Sequence, residues 1–163
     1  MRVTAMQEYG LRCMLQIASH AATTPLPVRE IARRERLTPV YVEKILVNLR
    51  KAGLVKSLRG VNGGYIIAMA PKDISVAAVL SALGQVDLGR DLCHRFTGNS
   101  NACVHNGECS IRSVWGLLTR YIYGFLQQIS VEQLLKGEAG VVDDINALGN
   151  RPPHLMGEER SRS

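Results

Sequence analysis

Three cysteines crowd into one stretch of the chain, Cys93, Cys103 and Cys109, with nine residues between the first pair and five between the second. Thiolates are soft ligands, suited to zinc or to an iron–sulfur cluster. In a reducing compartment such a grouping reads as metal or redox chemistry before structural disulfides. A four-coordinate site needs one donor more than these three residues supply. His94 and His105 lie in the same stretch and are candidates, although histidines in a loop are more commonly plain surface residues. With one of them the set would be a Cys3His zinc site. Two of the thiols could instead join reversibly as a redox switch. The fourth cysteine, Cys13, falls on the apolar side of a helical pattern and reads as core packing. Catalysis is the weaker reading. The chain has no phosphate loop and no HExxH motif, and its cysteines and histidines lack a recognisable base with an orienting partner. The chain is therefore expected not to be an enzyme.

A second constellation is cationic. The formal net charge is +6, and residues 28–60 hold nine Lys/Arg against three Glu, which accounts for the whole excess. A concentrated basic segment suits contact with phosphates, although by itself it could equally be a solvated face. The helical pattern inside it sharpens the choice. Val42, Ile45, Leu46 and Leu49 recur at i, i+3, i+4 and i+7, an apolar stripe that turns Thr38, Tyr41, Glu43, Lys44 and Asn48 outward. Polar residues opposite a buried stripe are what a helix in the DNA major groove requires. Glu43 could accept from a cytosine amino group, and Lys44 could serve guanine or phosphate. Beyond the helix, Arg59 could enter a narrow minor groove, with Gly60, Gly63 and Gly64 letting the backbone come close. Glu43 and Lys44 could also be ordinary surface charges on a protein-binding module.

The elements that must carry these residues follow from periodicity. Met6 to Ala22 has helical spacing, and the Thr-Thr-Pro-Leu-Pro run after it ends the helix. Val28 to Arg36 is a short helix. Thr38 and Pro39 then make a strong start, a cap followed by a proline in the first turn, for a helix to about Ala52. Two β-type runs, Leu54 to Leu58 and Tyr65 to Met69, flank a glycine-rich tip, so a hairpin wing is expected directly after the recognition helix. Ser75 to Leu83 is a further short helix. Residues 85–109, which hold the three cysteines, lack periodicity, and a stretch of that length is commonly functional or disordered. Ser110 is expected to cap a long helix to about Gln128, and Ser130 with Gln133 a short final one through Leu135. The apolar stripe of the long helix includes Val114, Trp115, Leu118, Ile122, Phe125 and Ile129, which for a lone helix is more often core than interface.

The fold class expected is mainly α with a small β-hairpin: a winged helix-turn-helix over 1–84, a cysteine-bearing segment over 85–109, helices over 110–136, and a flexible tail over 137–163. Hydrophobic residues make up 46% of the 163, enough for a core, and aromatics only 5%, so that core must be aliphatic. Nothing near Met1–Arg12 reads as a signal peptide and no run is long enough to span a membrane, so a cytoplasmic protein is expected.

Several segments together resemble the Rrf2 family of transcription regulators: Glu8 to Arg12, Val28 to Ala32, Tyr41 to Leu46, Leu49 to Val55, and Ser57 to Gly60 with Gly63-Gly64-Tyr65. The resemblance runs from Met1 to about Lys136. It implies a homodimer reading a palindrome-like operator on double-stranded DNA, with Glu43 and Arg59 in contact with it. It also implies an iron–sulfur cluster held before the dimerisation helix, making Val114, Leu118, Ile122, Phe125 and Ile129 the dimer interface. One branch of the family takes its fourth ligand from a histidine three residues past the last cysteine. Here that position is Arg112, which cannot ligate. Another branch uses a carboxylate near the N-terminus of the partner chain, and Glu8 stands at the matching place. The gap between Cys93 and Cys103 is longer than the family's usual interval, so the cluster could be 2Fe–2S or 4Fe–4S. The function implied is a regulator, most commonly a repressor, that senses iron, redox or nitric oxide status. The alternative is a zinc-binding or thiol-redox winged helix, or an interaction module, with no such cluster.

Overall fold

A computed structural model describes residues 3–21, 23–60, 62–84, 97, 101, 103–105 and 109–149. Helix α1 (Ala5–Ala18) opens with a capping box in which Thr4 and Gln7 satisfy each other's backbone N–H groups. It stops at Ser19 rather than continuing to Ala22, because the chain must turn to bring Leu26, 2% exposed, back into the core. Helix α2 (Val28–Glu35) ends at Arg36, whose φ of 55° reverses the chain, and α3 (Pro39–Lys51) starts three residues later. The Thr38 hydroxyl caps α3 by accepting the Tyr41 N–H at 3.4 Å. These three helices bury Met14, Ile17, Ile31, Ile45, Leu46 and Leu49 in one aliphatic core, the non-directional burial that holds the domain together.

Strands β1 (Val55–Leu58) and β2 (Gly64–Ile67) form the antiparallel hairpin, Val55 opposite Ile67 and Leu58 opposite Gly64. Leu26 adds a one-residue bridge to its edge, exchanging two backbone hydrogen bonds with Tyr65 at 2.9 and 3.0 Å. A 3-10 turn (Pro71–Asp73) leads to α4 (Val76–Ala82), capped by Ser75. The long helix α5 (Ser110–Gln128) is capped by Cys109, not by Ser110. It is followed by α6 (Val131–Leu134) with the expected Ser130–Gln133 capping box. The far end of α5 is tied back to the domain by backbone bonds from Val76 N–H to Ile129 and from Val131 N–H to Ile74, both 2.8 Å.

Two expectations are corrected here. Gly137–Gly149 is a helix, α7, and not part of a flexible tail. Its Ile145 packs against a second small core of Val76, Leu80 and Ile129, and Asp144 pairs with Lys136 at 2.8 Å. An apolar anchor and an ion pair thus hold a segment whose glycines and acids argued for mobility. Ile129, expected at a dimer interface, is 5% exposed inside that same core, with Phe125 packed partly against it. The rest of the expected tail, beyond Gly149, lies outside the described residues.

Candidate nucleic-acid interface and metal centre

The recognition helix α3 presents its outer face as its sequence requires. Val42, Ile45 and Leu46 are fully buried, while Glu43 and Lys44 are exposed. Arg59, just past β1, is exposed as well. Among the described residues none of these three has an ion-pair or hydrogen-bond partner, so their charges are free to meet an outside one. The basic surface is not uniform. Glu30 holds both Arg33 and Arg34, at 2.8 and 2.7 Å, and these hydrogen bonds pull its carboxyl pKa down to about 2. Arg29, Arg36, Lys44, Arg50, Lys51, Lys56 and Arg59 remain unpaired among the described residues.

Two of the other expected DNA contacts, Thr38 and Tyr41, have internal duties. Thr38 spends its hydroxyl on the cap. Asn48 is half-buried, and the bond it accepts from the Ala52 N–H falls on its backbone carbonyl, so its side-chain amide has no partner among the described residues. Tyr41 is half-buried with its ring edge-on to Tyr9 at 6.0 Å. In the wing, Gly60 sits at φ 127°, a backbone open in practice to glycine alone. Gly63 and Gly64 answer to a different constraint. A Cβ on Gly63 would lie 2.6 Å from the Leu58 carbonyl oxygen, and one on Gly64 2.5 Å from that of Leu26. Their lack of a side chain is therefore explained by the hairpin's own packing without any approach of DNA.

Sequence reasoning missed the chain of contacts behind α3. Arg12 of α1 donates to the Glu35 carboxylate at 2.6 Å, and Gln16 donates to its other oxygen, also at 2.6 Å. Glu35, 9% exposed, is thereby satisfied between α1 and α2. The Arg12 guanidinium also stands 5.4 Å from the Tyr9 ring centre, and Tyr9 meets Tyr41. The second turn of α1 and the first turn of α3 are thus joined through aromatic and charged contacts. The only sequence signal was the interrupted apolar face of α1 at Tyr9 and Arg12, whose partners lie over twenty residues away.

Of the cysteine set, Cys103 and Cys109 are half-buried and free, while Cys93 and His94 lie outside the described residues. His105 is exposed, as is Glu8 in the first turn of α1. Among the described residues no three such donors stand together. Cys109 has a position of its own: as N-cap of α5, its sulfur accepts the Arg112 N–H at 3.4 Å. A helix N-terminus favours negative charge, and hydrogen bonds to sulfur tune a thiolate ligand. The donor chemistry of Cys103 and Cys109 therefore fits a thiolate-held metal group. Cys13 does not compete for it. The residue is fully buried, and burial pushes its thiol pKa up to about 12, the behaviour of an inert core thiol.

On the surface of α5, Val114 is 62%, Trp115 47% and Leu118 45% exposed, while Ile122 and Phe125 are half-buried. No helix among the described residues is long and apolar enough to cross a membrane.

Residues 3–137 match the Rrf2 family, described as "Iron-dependent Transcriptional regulator". The chain is 35% identical over 136 residues to the "HTH-type transcriptional regulator IscR" of Aliivibrio salmonicida strain LFI1238, covering 83% of this chain and 77% of that one. A second IscR, from Klebsiella pneumoniae strain 342, is 32% identical over 139 residues, covering 85% and 82%. Among solved structures, "T. potens IscR" superposes with a TM-score of 0.63 at 28% identity, covering 93% of each chain. The structure of CymR, titled "the Global Cysteine Regulator of B. subtilis", gives 0.66 at 24% identity, covering 83% of this chain and 97% of that one. That likeness shows the winged-helix fold.

Proposed function

The chain belongs to the Rrf2 family of transcription regulators, and from that premise we propose a cytoplasmic homodimer whose operator binding is set by an iron–sulfur cluster. The family is one of DNA-binding regulators rather than enzymes. The observation that carries the reading is α3 with its wing: Glu43, Lys44 and Arg59 exposed, and unpaired among the described residues, beside a hairpin that follows the recognition helix directly. Two copies related by a twofold axis would offer two such helices to successive turns of a palindrome-like operator. The exposed apolar part of α5, Val114 and Leu118 with Ile122, is the surface proposed to join them.

Cys93, Cys103 and Cys109 would hold the cluster, with Glu8 of the partner subunit as the fourth ligand in place of His94 or His105. The cluster supplies a thiolate-bound iron centre that iron supply, oxidants or nitric oxide can alter. The chain's own residues would carry the consequence. Glu8 neighbours Tyr9 on α1, and Tyr9 touches Tyr41 on α3. A ligand bond at Glu8 across the dimer would bias the position of the recognition helix and hold the two subunits in one geometry. Repression is the mode proposed.

The test is an absorbance spectrum of anaerobically purified protein, with iron, acid-labile sulfide and zinc counted per chain. Iron and sulfide together, lost when all three cysteines are replaced by alanine, are expected. Stoichiometric zinc without sulfide would overturn the cluster assignment in favour of a structural Cys3His site. Failure of chemical reconstitution to load iron and sulfide would overturn it as well.

A further inference from the structure

Val40 is 78% exposed, in the first turn of the recognition helix. Several features set it apart from a scattered surface residue. Helical geometry places residues 40, 44, 47 and 51 on the line opposite the buried stripe, and Val40, Lys44 and Lys51 on it are exposed while Val47 is half-buried. A β-branched residue contributes less to an exposed helix than Lys, Glu or Ala would. Val40 returns nothing to the fold in exchange, since no core cluster includes it. Lys44, one turn on, and Lys51 give that line the positive charge that suits a polyanion.

The reading of α3 as a major-groove helix, on which this inference rests, leaves an apolar side chain facing base edges. Those edges are polar except at one place: the C5-methyl of thymine is the apolar group in the major groove, and small apolar side chains recognise it by contact. We propose that Val40 packs against a thymine methyl group in each half-site and so selects thymine over cytosine at that position. The recognition face thus combines an acceptor at Glu43, a donor at Lys44 and an apolar reader at Val40, three chemistries within five residues.

The test begins with duplexes selected from a random pool by the full-length, anaerobically purified protein. Each thymine of a selected site is then replaced in turn by deoxyuridine, which removes the methyl and leaves base pairing intact. Affinities are measured at one salt concentration. At one position per half-site the replacement is expected to weaken the wild type about fourfold, roughly the worth of one methyl group withdrawn from water. Val40→Ala is expected to bind the thymine duplex about fourfold more weakly and to treat thymine and deoxyuridine alike. A thermal melt matched to wild type confirms that the variant folds. The inference is overturned if no thymine methyl matters to the wild type, or if Val40→Ala keeps the discrimination. In either case the DNA-binding reading survives, because sites were selected. If no sequence is enriched, that reading fails and the inference with it.

Discussion

Arg59 and Glu30 show how differently two charged residues of one basic surface behave. Arg59 is exposed and has no partner among the described residues. Under the proposed function, Arg59→Ala is expected to weaken operator binding about 5- to 150-fold, the equivalent of roughly 1–3 kcal/mol for a base-reading arginine. Fluorescence anisotropy at fixed salt measures this, and unchanged affinity would remove Arg59 from the interface. Glu30 instead pairs with both Arg33 and Arg34, its carboxyl pKa held near 2 by their hydrogen bonds, below the ordinary 4.5. Since the folded-state value lies below the unfolded one, the contribution is complete above pH 4.5 and fades as pH falls toward 2. The stability gap between wild type and Glu30→Gln is therefore expected to shrink across that window in thermal melts. A gap that stays constant would show the pairs to be inert, as exposed ion pairs often are. At this scale the sequence was partly legible. The Val42–Leu49 stripe announced which way α3 faces, and Cys13 announced its burial. Val40 passed unnoticed because an exposed valine looks like noise in a search for polar readers. The Arg12–Glu35 contact was hidden because its partners lie on different helices.

Capping chemistry made most of the helices readable: Thr38 before Pro39, Ser75, and Ser130 with Gln133 all act where local hydrogen-bond logic puts them. Elements held by distant contacts were not readable in the same way. Helix α7 depends on Ile145 meeting Val76, Leu80 and Ile129, and the Leu26 bridge to Tyr65 depends on a chain path no periodicity encodes. The wing offers the clearest test at this scale. Gly64→Ala would drive a methyl group against the Leu26 backbone, where no flexible side chain can yield. A loss of about 1–3 kcal/mol of stability is expected, the usual cost of overpacking, read by denaturant unfolding. Full stability with DNA binding retained would show that the Leu26–Tyr65 bridge does not brace the hairpin.

The proposed assembly joins two wings and two cysteine sets through α5. Its exposed apolar residues are concentrated toward the cysteine-bearing end, at Ile111, Val114, Trp115, Leu117 and Leu118, while the far end is buried in the chain's own second core. Leu118→Glu is therefore expected to convert a dimer to a monomer in sedimentation and to lower operator affinity, whereas an unchanged dimer would move the interface elsewhere. Sequence periodicity predicted an apolar stripe along the whole helix. It could not tell which part the fold would claim, and so it misplaced Ile129.

In the proposed function the state of the cysteine-held group sets DNA affinity. One anaerobic preparation should be measured on a selected duplex before and after chelation strips its iron, at constant salt. A change of about 5- to 150-fold is expected, the span of ordinary allosteric coupling. Equal affinity in the two states would contradict it, leaving a winged helix that binds DNA without sensing through Cys93, Cys103 and Cys109.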